Sequence, residues 1–331
     1  MKDFCIVGSG ISGATIAKLL SKKYTIKVYD KARGPGGRSA NRRYKDNLSF
    51  DHGLQYISPK TAKFKKFILN LKKNNVLKVW EKNHFNLSLD NTDLSKRYIG
   101  KKSNNDISKF LLKDIDTSYD NTIKKLVFKK NYWLVINKLN KEEMFRNVIL
   151  TCPYPQAKKL IKKYMNKSLS DLKIKMQPNI TVMLVYKNKN QNKKISSFKL
   201  NNKIIAFAAN ENSKKRFVSN LDLWTLQSTL NFAVKNINKY KNRKKSITNL
   251  MIKEFEKVLK FTKTSLIFKD IHGWKYSYHY EATKIKSFWS KKYSLGICGD
   301  WFLGPKAEHA WTSSNNLFSK IIQAKKNPLN K

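Results

Sequence analysis

The chain has 331 residues, in which Lys and Arg (69) outnumber Asp and Glu (22) and give a formal charge of +47. This length is sufficient for one large or two ordinary domains that bury their own cores. The apolar fraction of 40% and the aromatic fraction of 12% exclude a disordered chain, because such chains lack the apolar surface that a packed core requires. We therefore expect a globular protein, and two domains fit this length.

The positive charge raises the question of a nucleic acid or an anionic membrane as partner. Lys supplies most of this charge and is spread over the whole chain. Proteins that read nucleic-acid sequence favour Arg on a localised basic face, because the guanidinium forms paired hydrogen bonds with bases. We therefore expect no specific nucleic-acid partner. A basic nucleic-acid-binding protein with a vestigial nucleotide fold is kept as the alternative of another class.

The cysteines, the histidines and the apolar runs do not indicate a metal centre or a membrane anchor. Cys5, Cys152 and Cys298 each lie in an apolar run typical of a buried strand, so we expect reduced thiols. The histidines are scattered and no Cys/His group has metal-ligand spacing, so no metal is predicted. No apolar stretch approaches the ~18 residues of a spanning helix. The first strand also begins too early for a secretion signal, and we expect a cytoplasmic protein.

The first thirty residues predict a β-α-β unit. An apolar strand covers residues 4–7, a helix covers 11–21 and a second strand covers 25–29. The motif GxGxxG lies between the first strand and the helix. Its first glycine permits a tight turn, its second lets the backbone approach a pyrophosphate, and its third lets the helix pack on the strand. The motif residues that we expect to bind a dinucleotide are Gly8, Gly10, Ile11, Ser12 and Gly13.

Asp30 closes the second strand, about twenty residues after the glycines, where an acid binds the hydroxyls of an adenosine ribose. The next segment, residues 31–39, is rich in glycine and contains Lys31, Gly37 and Arg38. Its paired glycines permit close backbone approach, and Arg38 supplies a fixed cation for phosphate or flavin oxygens. The segment resembles the glycine-arginine motif of amine-oxidase-type flavoproteins.

The remaining elements follow in a regular order, and the pattern changes near residue 158 to longer mixed elements that indicate a second, smaller domain. The periodicity predicts helices over residues 61–74, 106–112 and 247–259, strands within 121–150 and over 181–186, 204–209, 267–280 and 294–298, and a last helix that opens at Gly304-Pro305. A proline suits the first position of that helix.

The segment Phe50-Asp51-His52-Gly53-Leu54-Gln55-Tyr56 resembles a stretch of renalase-like proteins whose backbone approaches the isoalloxazine ring. Matching runs follow at residues 97–100, 152–157, 272–276 and 298–305, so the resemblance spans nearly the whole chain. The sequence is therefore similar to the renalase-like FAD-dependent oxidoreductases of the flavin-containing amine oxidase superfamily.

This resemblance implies an α/β fold with the two-domain architecture of p-hydroxybenzoate hydroxylase. Residues 1–60, 97–157 and 288–331 would form a discontinuous Rossmann-type FAD-binding domain, and residues 61–96 and 158–287 a smaller α+β substrate domain. FAD would be bound without a covalent link, because no Cys or His lies in a recognised linkage context. Beyond the motif residues, Asp30 and Lys31, the implied FAD contacts are Gly37, Arg38, His52, Gly53, Gln55, Tyr56, Gly299, Asp300 and Ala310.

The Gly299-Asp300 pair also has a direct physical interpretation. A carboxylate that follows a strand can hold a ribityl hydroxyl, and the next helix would direct its positive N-terminus at the N1/C2 edge of the flavin. Such a placement stabilises the anionic reduced flavin.

The expected substrate pocket is lined by Trp274, Tyr276, Trp301 and Gln227. The resemblance implies hydride transfer from a reduced nitrogen-containing substrate, an isomeric dihydro-NAD(P), to flavin N5, with reoxidation by O2 and no catalytic side chain. Gln227 stands where close relatives have His, so the substrate stays open. Amine oxidation and carotenoid-type desaturation are the alternatives on the same scaffold.

Overall fold

The computed structural model describes residues 1–81, 83–87, 91–187, 195–259 and 266–326. The helices are α1 Ile11–Leu20, α2 Ala62–Lys73, α3 Asp106–Leu111, α4 Tyr154–Ile161, α5 Lys167–Ser170, α6 Leu230–Asn236, α7 Lys244–Leu259 and α8 Ala307–Lys326, and short 3-10 helices cover Gly37–Ser39, Lys162–Tyr164, Asn212–Lys214 and Asp300–Phe302.

The strands form two large sheets and two short antiparallel pairs. They are β1 Lys2–Val7, β2 Ile26–Tyr29, β3 Asn41–Arg43, β4 Ser49–Asp51, β5 Leu77–Val79, β6 His84–Asn86, β7 Asn91–Thr92, β8 Tyr98–Gly100, β9 Asp116–Ser118, β10 Ile123–Lys129, β11 Tyr132–Asn137, β12 Glu142–Leu150, β13 Gln177–Tyr186, β14 Ser197–Lys199, β15 Ile205–Asn210, β16 Asp222–Ser228, β17 Leu266–Tyr278, β18 Phe288–Ser290 and β19 Leu295–Ile297. The short pairs are β3 with β4 and β5 with β8.

The first sheet has the order β10-β11-β12-β1-β2-β9. Strand β19 also pairs with β12, and β18 pairs with β19. Strand β1 lies at its centre and pairs in parallel with both β2 and β12. Phe4 and Ile6 enter the core on one face, with α1, α2 and α8, while Cys5 enters the core on the other. A central parallel strand is buried on both faces, which explains the continuous apolar run at the N-terminus.

The second sheet has the order β17-β13-β16-β15-β14-β6-β7. One of its faces packs against α6 and α7, and the other packs against segments from the first half of the chain. Strand β13 alternates between them, since Val182 and Leu184 face the helices while Met183 and Val185 pack with Phe50. The expected α/β fold, a Rossmann-type domain joined to a second mixed domain, is confirmed.

The packing differs from the expected domain boundaries at two segments. Helix α2 lies within residues 61–96, yet its buried side chains Phe64, Ile68 and Leu71 join the first core. Residues 158–176 also belong there, because Ile161 and Leu169 pack against the opposite face of the first sheet. Among the described residues of the segment 61–96, β6 and β7 join the second sheet and Trp80 packs on it. An amphipathic pattern shows that a helix has a buried face but not which sheet covers it.

Two smaller expectations also need correction. Helix α8 begins at Ala307, so Pro305 lies before the helix rather than at its first position. Cys152 lies in the turn after β12 and is only partly buried, whereas Cys5 and Cys298 are fully buried. None of the helices in the described ranges is long and apolar enough to cross a membrane.

Candidate functional site

The turn between β1 and α1 excludes side chains at its first and third glycines. Gly8 has φ +114°, a conformation that L-residues rarely adopt. A Cβ at Gly13 would lie 1.9 Å from the carbonyl oxygen of Gly8, so only glycine lets α1 pack this closely on the turn. Helix α1 starts after Gly10 with no side-chain cap. Its first-turn amides are therefore placed as helix N-termini are for binding anions.

A second glycine turn lies directly against the first. The amide of Gly36 donates to the carbonyl of Ser9 at 3.0 Å. Gly37 has φ +53°, and a Cβ at this position would lie 3.4 Å from the Cα of Gly10. Bare backbone therefore faces bare backbone beside the N-terminus of α1. Free amides at such a place favour an anion such as a pyrophosphate.

Asp30 is fixed at the carboxyl end of β2 by the same turn. Its Oδ2 accepts hydrogen bonds from the amide of Ser9 at 2.7 Å and from the Ser9 hydroxyl at 2.6 Å. Its Oδ1 accepts from the amide of Ala32 at 2.8 Å, and the neighbouring Lys31 is exposed. The carboxylate thus has a defined orientation at the position where dinucleotide-binding domains hold a ribose.

The two ends of the chain meet at this turn. The hydroxyl oxygens of Ser12 and Ser314 are 2.8 Å apart, and Ser12 Oγ lies 3.3 Å from Cys298 Sγ. Burial raises the pKa of Cys298 to about 11, so its thiol stays protonated. Because Gly299 and Asp300 follow Cys298, the Gly-Asp turn lies beside the glycine turn of the N-terminus.

Arg38 and Asp300 bind each other in this structure. The guanidinium contacts the carboxylate through Nη2–Oδ1 at 2.5 Å and Nη1–Oδ2 at 2.9 Å. Nη1 also donates to the carbonyl of Ser277 in β17 at 2.6 Å, so Arg38 joins both turns of the first domain to the second sheet. The sequence predicts a separate flavin contact for each side chain, whereas in the structure the two side chains bind each other.

Asp300 opens a short 3-10 turn, and the helix predicted to open at Gly304-Pro305 begins at Ala307 as α8. Ala310 is buried on the first turn of α8. A long helix dipole therefore does not start at the carboxylate itself.

The segment 51–56 packs on the backbone of the Arg38 turn. The amide of Leu54 donates to the Arg38 carbonyl at 2.8 Å, and a Cβ at Gly53 would lie 2.0 Å from that carbonyl oxygen. From the other side, Gln227 Nε2 donates to the Gly53 carbonyl at 2.6 Å and Trp274 Nε1 donates to the His52 carbonyl at 2.9 Å. The segment is thus held between the glycine turns and the second sheet.

His52 forms an aromatic group with Trp274 and His272. Its ring stacks on Trp274 with centroids 5.1 Å apart and meets the edge of His272 at 5.0 Å. Burial, followed by the positive charges of His272 and Arg42, lowers the pKa of His52 to about 4. The imidazole is therefore neutral at neutral pH. Its Nδ1 is buried without a hydrogen-bond partner among the described residues.

The other residues expected at the site lie in different surroundings. Tyr276 is partly buried on β17, and Tyr56 lies under the guanidinium of Arg97 at 4.1 Å. Trp301 is fully buried on the face of the first sheet that Cys5 enters, where its ring contacts Tyr154 and its Nε1 donates to the Cys152 carbonyl at 3.3 Å. Trp301 is therefore a packed core residue and does not face an open cleft.

Sequence reasoning missed a set of charged side chains that lies beside the segment 51–56. We call Asp51, Glu211, Lys214 and Arg216 the buried charge cluster; their side chains are at most 3% exposed. Lys214 stands in a Lys-Lys-Arg run within a chain full of lysines, and no local pattern marks it as buried. Within the described ranges, no three His, Cys, Asp or Glu side chains come together as a metal site.

Comparison with known proteins agrees with this architecture. A family model described as an NAD(P)-binding Rossmann-like domain matches residues 6–69. A putative protoporphyrinogen oxidase from Exiguobacterium sp. 255-15 is similar with a TM-score of 0.73 and 10% identity, over 97% of this chain and 98% of that chain. A double mutant of putrescine oxidase is similar with a TM-score of 0.68 and 11% identity, over 97% and 99% of the two chains. Wild-type putrescine oxidase bound to putrescine is similar with a TM-score of 0.66 and 10% identity, over 97% of this chain and 99% of that chain.

The N-terminal part of the chain therefore has a Rossmann-like fold. The whole chain has the two-domain fold that these oxidases share.

Proposed function

We propose that the chain is an FAD-dependent oxidoreductase that takes a hydride from a reduced nitrogen-containing substrate. The observation that carries the proposal is the meeting of the glycine turn, the Arg38 turn and the Gly299-Asp300 turn next to the segment 52–56. A dinucleotide domain alone needs only the glycine turn. The Arg38 turn, the Gly299-Asp300 turn and the segment 52–56 extend the site towards the second sheet, where the flavin ring of FAD would lie beyond the ADP half.

Named side chains and amides would hold the cofactor. The backbone at Gly10 and Gly37 and the first amides of α1 would bind the pyrophosphate, and Asp30 would bind the adenosine ribose. Asp300 and the segment from His52 to Tyr56 would contact the flavin half. When bound, FAD supplies the hydride acceptor, which is why the chain needs no nucleophile of its own.

The side chains of the chain would orient the substrate and form a largely apolar wall of the substrate pocket. Trp274 and His52 form a stacked pair of rings, and planar groups of this kind pack well against a planar substrate ring. Gln227 is tied to the Gly53 carbonyl and helps to fix the backbone. Because the lowered pKa keeps His52 neutral, this wall adds no fixed charge at neutral pH.

Charge favours an anionic substrate over a cationic one. A chain with a formal charge of +47 attracts a pyrophosphate-bearing dihydronicotinamide dinucleotide and repels a diamine. The renalase-like motifs favour the same substrate class, isomeric dihydro-NAD(P), with O2 as the acceptor that completes the cycle. Amine oxidation is the second candidate, because the chain shares its fold with putrescine oxidase.

Anaerobic reduction of the purified flavoprotein separates these two reactions. Borohydride-treated NAD, which contains isomeric dihydro forms, is expected to bleach the flavin absorbance, while putrescine and other amines leave it unchanged. Bleaching by amines alone would overturn the substrate proposal and leave the flavoprotein proposal intact. A colourless protein that binds duplex DNA at physiological salt would instead favour the basic binding protein.

A further inference from the structure

The buried charge cluster joins the two domains through four desolvated charges. Asp51 Oδ2 accepts from Lys214 Nζ at 2.8 Å and from Arg216 Nη1 at 2.5 Å. Lys214 Nζ also lies 2.9 Å from Glu211 Oε2, and the hydroxyl of Thr225 donates to Glu211 Oε1 at 2.6 Å. Asp51 ends strand β4, whereas the other three charges belong to the turn between β15 and β16 of the second sheet.

The cluster contains two carboxylates and two cations, and the cations lower the pKa of Asp51 more effectively than that of Glu211. Burial opposes ionisation of Asp51, but the adjacent Arg216 and Lys214 outweigh it and hold the pKa of Asp51 well below its usual range. Burial raises the pKa of Glu211, and Lys214 offsets this only in part. Removing any one charge would leave an unbalanced charge in the interior, which is strongly unfavourable.

The cluster grips the segment that carries the expected flavin contacts. Lys214 Nζ donates to Gln55 Oε1 at 3.2 Å, and Gln55 Nε2 donates back to the Asp51 carbonyl. Arg216 Nη2 donates to Asn104 Oδ1 at 3.0 Å. Asn104 Nδ2 in turn donates to the carbonyls of Leu54 at 2.6 Å and Gln55 at 3.0 Å. The turn of the second domain therefore fixes the backbone of residues 51–55, while the Arg38 carbonyl holds Gly53 and Leu54 from the first domain.

We propose that Lys214 and Arg216 are positioning residues that set the backbone of residues 52–55 at its place between the glycine turns and the second sheet. The part of this inference that concerns cofactor affinity rests on the proposed function. Buried ion pairs add little stability over well-packed apolar side chains of similar volume. Their directional hydrogen bonds do fix geometry. Here Lys214 donates one to Gln55 and Arg216 donates one to Asn104, and the Gln55 and Asn104 side chains in turn donate three to the backbone carbonyls of Asp51, Leu54 and Gln55.

The test uses a pair of variants that separates charge balance from positioning. Lys214→Met leaves two carboxylates and one cation, and is expected to unfold at much lower denaturant concentration than the wild type. Lys214→Met with Glu211→Gln leaves one carboxylate and one cation, and is expected to recover most of that loss. Lys257→Met serves as the control, because it removes only an exposed ion pair with Glu254.

Hydrogen exchange of the apoprotein then reports the position of the segment directly. In the charge-balanced double variant the Leu54 amide, which donates to the Arg38 carbonyl, is expected to exchange about tenfold faster, as one lost buried hydrogen bond allows. The amides of β1 are expected to stay at the wild-type rate. The FAD dissociation constant is expected to rise by a similar factor. Wild-type exchange and wild-type FAD affinity in the double variant would overturn the inference.

A second variant keeps the test decisive if the double variant does not fold. Gln55→Met leaves all four charges in place and removes the bond from Lys214 to the segment, together with the bonds from Gln55 Nε2 to the carbonyls of Asp51 and Gly53. The same local acceleration of exchange is expected. Unchanged exchange in Gln55→Met would equally contradict the positioning role. Because exchange is measured without cofactor, a protein that binds no FAD would disprove the proposed function without deciding this one.

Discussion

The two sides of the candidate site are held by opposite means. On the N-terminal side, the turns at Gly8–Gly13 and Gly36–Gly37 approach each other because no side chain stands between them. On the side of the second sheet, the segment 51–55 is held by side chains that reach across the domain boundary, among them Gln227, Trp274 and Lys214. The first region is therefore sensitive to an added carbon at Gly8, Gly13 or Gly36. The second region is sensitive to the loss of a hydrogen bond or a charge.

The largest effect is expected when one carbon is added to the glycine turn, because this tests whether the turn depends on the absence of side chains. In Gly13→Ala the new Cβ would lie 1.9 Å from the Gly8 carbonyl oxygen, a backbone atom that cannot move aside freely. We expect a loss of about 3 kcal/mol or more in the free energy of unfolding and no measurable FAD binding. Urea titration and fluorescence titration with FAD measure the two effects.

Gly34→Ala is the matched control for that variant, because a Cβ at Gly34 would meet no atom within 4 Å. Its unfolding free energy is expected to stay within about 0.5 kcal/mol of wild type. Equal behaviour of the two variants would contradict the steric account of the turn.

The second region is sensitive to acid through His52. Its folded-state pKa, about 4, lies below the unfolded value of 6.5, so the unfolded chain takes up the proton first as the pH falls. The stabilisation is complete above pH 6.5 and is lost between about pH 6.5 and pH 4, by up to about 3 kcal/mol. His52→Phe keeps a ring on Trp274 and cannot titrate, so its unfolding free energy should fall less steeply over this range.

His272 and His84 also have lowered pKa values, mainly through burial. Because these two histidines still titrate, the unfolding free energy of the His52→Phe variant should still fall in acid, but less than that of the wild type. A slope of stability against pH that matches wild type would show that His52 is not the group that burial keeps neutral.

The ion pair between Arg38 and Asp300 links the two regions and should give a smaller effect. Arg38→Met leaves the buried Asp300 carboxylate without its cation, and we expect a loss of about 2 kcal/mol, reduced from the cost of a fully buried pair because Arg38 is 30% exposed. Arg42→Met removes an exposed pair with Asp270 and should cost less than about 1 kcal/mol. Thermal unfolding of both variants measures the two losses in unfolding free energy. Equal losses would show that the Arg38–Asp300 pair contributes no more than an exposed ion pair.

The same contrast explains what could be predicted from the sequence. The β-α-β unit and the turn around Gly8 and Gly10 follow from local periodicity and from the backbone needs of glycine, both of which lie within a few neighbouring residues. Helix α2 was also predicted, but its partner sheet was not. Amphipathic spacing fixes the buried face of a helix and leaves open what covers it.

Side chains that act across the domain boundary leave no local signal. Lys214 is buried because Asp51, more than a hundred residues earlier in the chain, needs a cation, and its neighbours in sequence are also basic. Trp301 follows the Gly-Asp turn as a pocket residue would, yet its ring turns into the core against Tyr154. Long-range charge pairing and the direction of an aromatic side chain require coordinates.

The central claim, that both ends of the chain grip one FAD, is tested most directly by the absorbance of the purified protein and of its reconstituted apoprotein. We predict an oxidised-flavin spectrum at one FAD per chain, release of the colour on denaturation, and reconstitution by FAD but not by FMN, which lacks the ADP half that the glycine turn and Asp30 would hold. A protein that takes up no flavin, or that binds FMN as tightly as FAD, would contradict the account.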